Sequence, residues 1–480
     1  MHSMRFLRMG LLLPLYVGLF VTGCGKDDPV APPNNNVTID EKVRPVVFVH
    51  GRREAADAWI PFSQLFRLNG YTENFLHAID FQDVPEMTGK DHERMSLELE
   101  ARVSAVLAST QADRVDIVAH GRGALAVQYY LRQMGGSSKV AHVAYLGGVT
   151  DDGVGTAGTV TPVKYMTIRS DGKDATQSSP DDGQLAGADN RQIAGLDHQQ
   201  LLISGDAYTA VHTFFTGAVP TVKKLPKVQI LRTFYIKGRV ISMFDNTPVP
   251  GASVSFWWIG STQMGRQSNG SWRTVTADAQ GYFSFVDTIR PISRIEVIVK
   301  AGNHYESHYF KTEWRENVMF ERYRVMPKTS GTSYLAGIRS ALTFDNVSTI
   351  AIVHSPYQAF NVSRDKMEML VDTAETTERK VNLLNARTAP PTGGNNPFMM
   401  FVHDAGGNQS DGSGPVSNPV LDAFGLTSYD VYIDASRSAL FSTLTTNEKC
   451  IYFQNFRSGG TLNNASGLVF IRYDFYNDAL

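Results

Sequence analysis

The chain has 480 residues, with 45 Lys and Arg against 47 Asp and Glu and a formal net charge of −2. A balance this close to zero, with no basic block, excludes the electrostatic footprint of a nucleic-acid binder. The length calls for two or three domains. The two cysteines, Cys24 and Cys450, can build neither a disulfide framework nor a zinc site, and the histidines show no metal-ligand spacing, so no cofactor is expected.

In chain order, Arg5 and Arg8 precede an apolar run from Leu11 to Val21 that is too short to span a bilayer. It ends in Val21-Thr22-Gly23-Cys24. Small residues ahead of a cysteine resemble a bacterial lipobox. The resemblance implies diacylglycerol on Cys24 and a protein anchored to a membrane rather than spanning it. Gly25 after the cysteine, in place of aspartate, implies the outer membrane. Cys450 is then left without an intramolecular partner, and a buried free thiol at the start of a strand is expected. Residues 25–44 hold Pro29, Pro32, Pro33 and three consecutive asparagines, the composition of a flexible tether.

From residue 45 to about 217 the pattern alternates. Pro45 to His50, Arg114 to Ala119, Val140 to Leu146 and Val163 to Ile168 read as strands. His92 to Thr110, Ala124 to Met134 and Ala207 to Phe215 read as helices. This alternation predicts an α/β domain with a parallel sheet between helices. Residues 218–228, with Pro220 and Pro226, read as a linker. Residues 229–328 and 329–480 then read as two all-β, sandwich-like regions. Strands are predicted in the first at 234–241, 252–258, 271–277 and 282–286. In the second they are predicted at 349–353, 367–371, 398–402, 429–433, 450–453 and 467–473.

Within the α/β region, Val115-Asp116-Ile117-Val118-Ala119-His120-Gly121-Arg122-Gly123-Ala124 has the form of a strand, a sharp turn and a helix, with small residues on both sides of the turn. That arrangement resembles the nucleophile elbow of an α/β-hydrolase. Around it lie Pro45 to Gly51, Lys139 to Gly148, Tyr165 to Ser170 followed by Asp171 and Asp174, and Gln192 to His198. Together these segments resemble the small, lidless secreted bacterial triacylglycerol lipases, over a little over a third of the chain. The order elbow, acid, histidine is the one this fold requires.

The resemblance implies a role for each position. His198 is the general base. Asp174 orients it, with Asp171 competing for that role. The backbone N–H groups of Arg52 and Arg122 form the oxyanion hole. The family's serine is replaced by Gly121, which has no side chain to attack a carbonyl. His120, His142 and His212 are taken as structural.

Two outcomes stay open. His198 and its acid could activate a water in the space of the missing serine, giving a weak carboxylic-ester hydrolase. Alternatively the site has become a binding pocket on a surface or adhesion lipoprotein. In that case the guanidiniums of Arg52 and Arg122, unless they point to solvent, suit a carboxylate or phosphate. The expected ligand is a lipid or ester-like small molecule, anionic under the second outcome.

Farther on, Lys237 to Val240, Thr247 to Val254 and Thr276 to Phe285 resemble the carboxypeptidase-regulatory-like β-sandwich of exported bacterial proteins. Trp257, Trp258 and Trp272 there read either as sandwich core or as a sugar-stacking platform, with core favoured. The last region resembles no named family. Asp404, Asn408, Asp411 and Ser413 offer oxygen ligands for calcium, but not at EF-hand spacing.

Overall fold

The computed structural model describes residues 43–84, 87, 91–148, 159–170, 184–196, 198–225, 232–243, 245–258, 270–289, 295–311 and 320–329, and from residue 350 onward only the backbone of the strands. Cys24, the lipobox, the tether and the calcium-type loop at 404–414 lie outside the described residues.

The first region is built on strands β1 (Val46–Val49), β2 (Leu76–Ala78), β3 (Val115–His120), β4 (Val140–Leu146), β5 (Lys164–Arg169) and β6 (Asp189–Gln192). They form one sheet in the order β2-β1-β3-β4-β5-β6, every pair parallel. β1, β3 and β4 are buried along their whole length, which is why they read as continuous β-branched runs instead of alternating ones. Helices α1 (Ile60–Leu68), α2 (His92–Thr110), α3 (Gly123–Gln133) and α4 (Gly205–Thr216) accompany the sheet. Phe48, Phe62, Phe66, Leu202 and Tyr208 fill one core layer. Val47, Val49, Leu99, Val103, Ile117 and Val127 fill the other. The fold is therefore α/β with a parallel sheet, as the alternation predicts. The strand order changes direction between β1 and β3, and the carboxyl ends of strands at such a switch point are where α/β proteins place their sites.

After α4 the chain stays on this domain. The Asn69 carboxamide holds residues 221 and 222. Its Oδ1 accepts from the N–H groups of Thr221 (2.8 Å) and Val222 (3.0 Å), and its Nδ2 donates to the Val222 carbonyl (2.8 Å).

The next strands are β7 (Arg232–Ser242), β8 (Ser253–Trp258), β9 (Arg273–Thr276), β10 (Tyr282–Ile289), β11 (Ile295–Lys300), β12 (Glu306–Lys311) and β13 (Arg322–Val325). A three-stranded sheet, β10-β7-β13, faces the run β12-β11-β8-β9. Ile236, Val240, Val254, Phe256, Phe283, Val297 and Tyr323 are packed between them. Trp258 and Trp272 lie 4.8 Å apart, packed against this core. The longer sheet continues into the last region, where Glu306–Phe310 pairs in parallel with Gly467–Ile471. The strands at Ile350–His354 and Met399–His403 extend it further. Cys450 lies in the strand Asn447–Gln454 of a separate four-stranded antiparallel sheet.

The sandwich meets the α/β domain through buried charge. Asp80, just beyond β2, is 5% exposed. It receives Arg239 Nη1 at 2.6 Å and Arg322 Nε at 2.9 Å. Burial pushes its carboxyl up, but the two guanidiniums outweigh that and hold it far below the usual carboxylate range. Asp57 takes a bidentate pair from Arg324, at 2.6 and 2.8 Å. Lys237 pairs with Glu73.

Removing one partner of a buried ion pair costs about 3–5 kcal/mol because the other charge stays desolvated. Asp80→Ala, which strands two arginines, is expected to lower the full chain's stability by about that amount, read from the urea midpoint. A second expectation concerns the buried His308. Its Nδ1 is 2.7 Å from Glu296 Oε1 and its Nε2 is 3.0 Å from Glu306 Oε1. Burial works against the charged ring, yet the two carboxylates prevail and its pKa is raised. This stabilisation is complete below the ordinary histidine value of about 6.5 and is lost as pH rises through the raised one. Thermal melting of the native chain should therefore decline with pH above that point, and melting of His308→Gln should not follow the same decline.

Candidate active site

Two turns at the carboxyl end of the sheet bring the site together. The first follows β1. The Phe81 N–H donates to His50 Nε2 (3.0 Å), so the His50 proton sits on Nδ1, which donates to the Gly51 carbonyl (2.8 Å). Burial holds the His50 pKa below its usual value and keeps the ring neutral. The second turn follows β3. The Gly121 N–H donates to the Leu146 carbonyl (3.0 Å), and the Gly121 carbonyl accepts from Ala124 N–H (3.1 Å) at the first turn of α3.

Gly121 has φ +48°, the left-handed backbone of a tight strand-to-helix turn. At Gly123 a Cβ would lie 2.3 Å from the His50 carbonyl oxygen. Glycine is therefore required there for the two turns to touch. Arg52 lies in the turn after β1 and Arg122 immediately precedes α3. Their segments are close, since a Cβ at 121 would be 4.0 Å from Gly51 Cα. Arg122 is half-buried, and its Nη1 donates to the Met87 carbonyl (3.3 Å).

His198 is half-buried between β6 and α4. A Cβ built on Gly121 would stand 3.1 Å from His198 Nε2. Residues 77 positions apart in the chain thus meet so closely that a Cβ at 121 would crowd the imidazole, which would have to give by a few tenths of an ångström. Asp171 and Asp174 lie outside the described residues.

Around His198 the structure places His120, read from the sequence as structural, and Glu54, which the sequence pattern did not single out. His120 and His198 have ring centroids 4.3 Å apart. His120 Nε2 is 3.1 Å from the His198 carbonyl oxygen, and His120 Nδ1 is 2.8 Å from Glu54 Oε1. Glu54 Oε2 also accepts from the Gly51 N–H (2.6 Å). Burial raises the Glu54 pKa, but the His120 ring and the Gly51 N–H bring it below its usual value. Trp59 meets His120 edge-on, at 6.5 Å between centroids. Only the Gly51-to-Glu54 spacing was visible as a signal, because a carboxylate three residues along a turn can accept a backbone N–H. The Glu54–His120 contact spans 66 residues and leaves no local pattern.

Residues 43–166 match the family model described as lipase (class 2). The mature form of Bacillus licheniformis lipase BlEst2 is similar in structure, at 15% identity over 39% of this chain and 96% of that one, with a TM-score of 0.30. The propeptide form of that lipase is 13% identical, over 91% of this chain and 98% of that one, with a TM-score of 0.31. The Bacillus subtilis carboxylesterase CesB is 9% identical, over 37% of this chain and 85% of that one, with a TM-score of 0.27.

A serine at 121 would occupy left-handed backbone, which costs about 1–2 kcal/mol for a residue with a Cβ. Gly121→Ser is expected to lose about that much stability in urea denaturation and to become labelled by a fluorophosphonate probe, which the native chain should not be. The parallel sheet and the strand-turn-helix turn at 121 give the first region an α/β-hydrolase fold, and its residues 43–166 are those that match the lipase (class 2) model.

Proposed function

We propose that the chain is a weak carboxylic-ester hydrolase acting on a lipid or ester-like molecule, with its domain tied to the cell envelope through a lipid on Cys24. The observation that carries this reading is the 3.1 Å between His198 Nε2 and the position a Cβ would take at Gly121. On this proposal His198 serves as the base, facing a position where the side chain stops at hydrogen.

In this reading a water takes the place of the serine hydroxyl. His198 Nε2 accepts its proton as the oxygen attacks the ester carbonyl. The N–H groups of Arg52 and Arg122 receive the charge that develops on the carbonyl oxygen. The proton on His198 then passes to the departing alkoxide, leaving a carboxylic acid and an alcohol. Asp174, or Asp171 in its place, steadies the imidazole. A serine hydrolase stripped of its triad retains roughly 10³- to 10⁴-fold acceleration over water from the oxyanion donors and binding, so slow turnover is the expected level. That the matching family model is a lipase, and that Bacillus relatives are a lipase and a carboxylesterase, supports an ester over other carbonyl substrates.

The test is p-nitrophenyl butyrate hydrolysis by the form starting at Lys26. Slow turnover by the native chain, abolished in His198→Ala and raised in Gly121→Ser, is the expected pattern. Native turnover equal to that of His198→Ala would remove the water-based mechanism.

A further inference from the structure

The segment after β1 is held by the β-sandwich from Glu54 onward. At Glu54, Asn246 Nδ2 donates to the main-chain carbonyl (2.9 Å), and it also donates to the Phe81 carbonyl (3.3 Å). In the next turn of chain, Arg324 holds the Asp57 carboxylate. Between them, Asp80 Oδ1 accepts from the Ala56 N–H (2.8 Å) while Arg239 and Arg322 fix the same carboxylate. Beside these contacts, the Asp83 N–H donates to the Asp245 carbonyl (2.8 Å). Asn246 is buried at φ +56°, a backbone that asparagine tolerates better than most residues. It stands in the turn that follows β7.

We propose that the β-sandwich is the positioning element of the hydrolase site. It sets the backbone of Glu54, Glu54 sets His120, and His120 sets His198. The line is continuous in the structure: Asn246 to the Glu54 carbonyl, the Glu54 carboxylate to His120 Nδ1, and His120 Nε2 to the His198 carbonyl. The same turn carries Gly51 and Arg52, so the sandwich also fixes one of the two oxyanion segments. Asn246, Glu54 and His120 are positioning residues in this scheme. None of them needs to touch the ester. What this means for the molecule is that the sandwich is a component of the site and not a spacer beside it. The inference takes His198 as the base and so rests on the function proposed above, but its direct readout does not require hydrolysis.

The experiment uses the form starting at Lys26 with ¹⁵N-labelled histidine, the His198 ring signals being assigned by their loss in His198→Ala. Asn246→Gly keeps the backbone its φ needs and removes only the donor. His120→Gln breaks the line one step later. Lys237→Met removes a sandwich contact to Glu73 that is not on the line. The expected result is that the His198 ring signals move in Asn246→Gly and in His120→Gln and keep their native positions in Lys237→Met, with all three chains folded by their melting curves. Native His198 signals in a folded Asn246→Gly would overturn the proposal. If Asn246→Gly does not fold, Asn246→Asp, which replaces the donating amide with an acceptor facing two carbonyls, is scored in the same way. His120→Gln native in its His198 signals would overturn the proposal regardless of either.

A second readout uses the Gly121→Ser background. There, Asn246→Gly is expected to lower kcat for p-nitrophenyl butyrate by about ten- to a hundredfold, the scale of a small misplacement of a reacting group, with KM unchanged. An unchanged kcat would count against the proposal. If Gly121→Ser hydrolyses nothing, the proposed function fails, and the ring signals still decide the positioning line.

Discussion

Asp80 sits almost without solvent between Arg239 and Arg322 and accepts a backbone N–H from Ala56 on its other side. A lone carboxylate in that place would be neutralised by desolvation. With two guanidiniums on it the charge is retained, and each partner depends on the others being present. Asp57 and Arg324 repeat the arrangement one turn of chain away. Charge pairs of this kind add little to net stability compared with well-packed apolar residues. They do impose one geometry, because any sliding of the sandwich across the α/β domain would leave several charges buried and unpaired. Here that geometry governs the segment between β1 and α1, the same segment that shapes one side of the site.

The apolar contacts follow the same logic. Phe320, next to β13, packs edge-on against Phe48 of β1, at 5.7 Å between ring centroids, so the core of the α/β domain is closed in part by a residue from the second region. The loop after α4 is also tied back, through Asn69. The site, the sheet end and the sandwich are thus parts of one packed body over the residues described. The elbow itself is set differently, by local backbone: a left-handed residue at 121 and a glycine at 123 pressed against a carbonyl.

The parallel sheet and its helices were readable because burial on both faces writes long β-branched runs, and because an amphipathic helix writes a period. α2 begins and ends where its pattern begins and ends. α1 and β2 were not among the predicted elements. α1 carries a proline in its first turn and only nine residues, and β2 has three, too few for any period to register. β6 was equally silent, since its four residues are polar and exposed and carry no apolar period. In the sandwich, β11, β12 and β13 passed unremarked although β11 is buried over most of its length.

What the sequence determined by itself was the local pattern: a strand, a tight turn at Gly121 and a helix, with His198 on a loop farther along the chain. Those features are encoded in neighbouring residues and survive without knowledge of the rest. Only the tertiary structure decided that Nε2 of His198 faces the Gly121 position, that His120 and Glu54 stand behind it, and that Asn246, Arg239, Arg322 and Arg324 reach across from the sandwich. These contacts join residues up to 267 positions apart. An ion pair or hydrogen bond at that separation has no period and no spacing, because its geometry exists only once both domains have folded and packed.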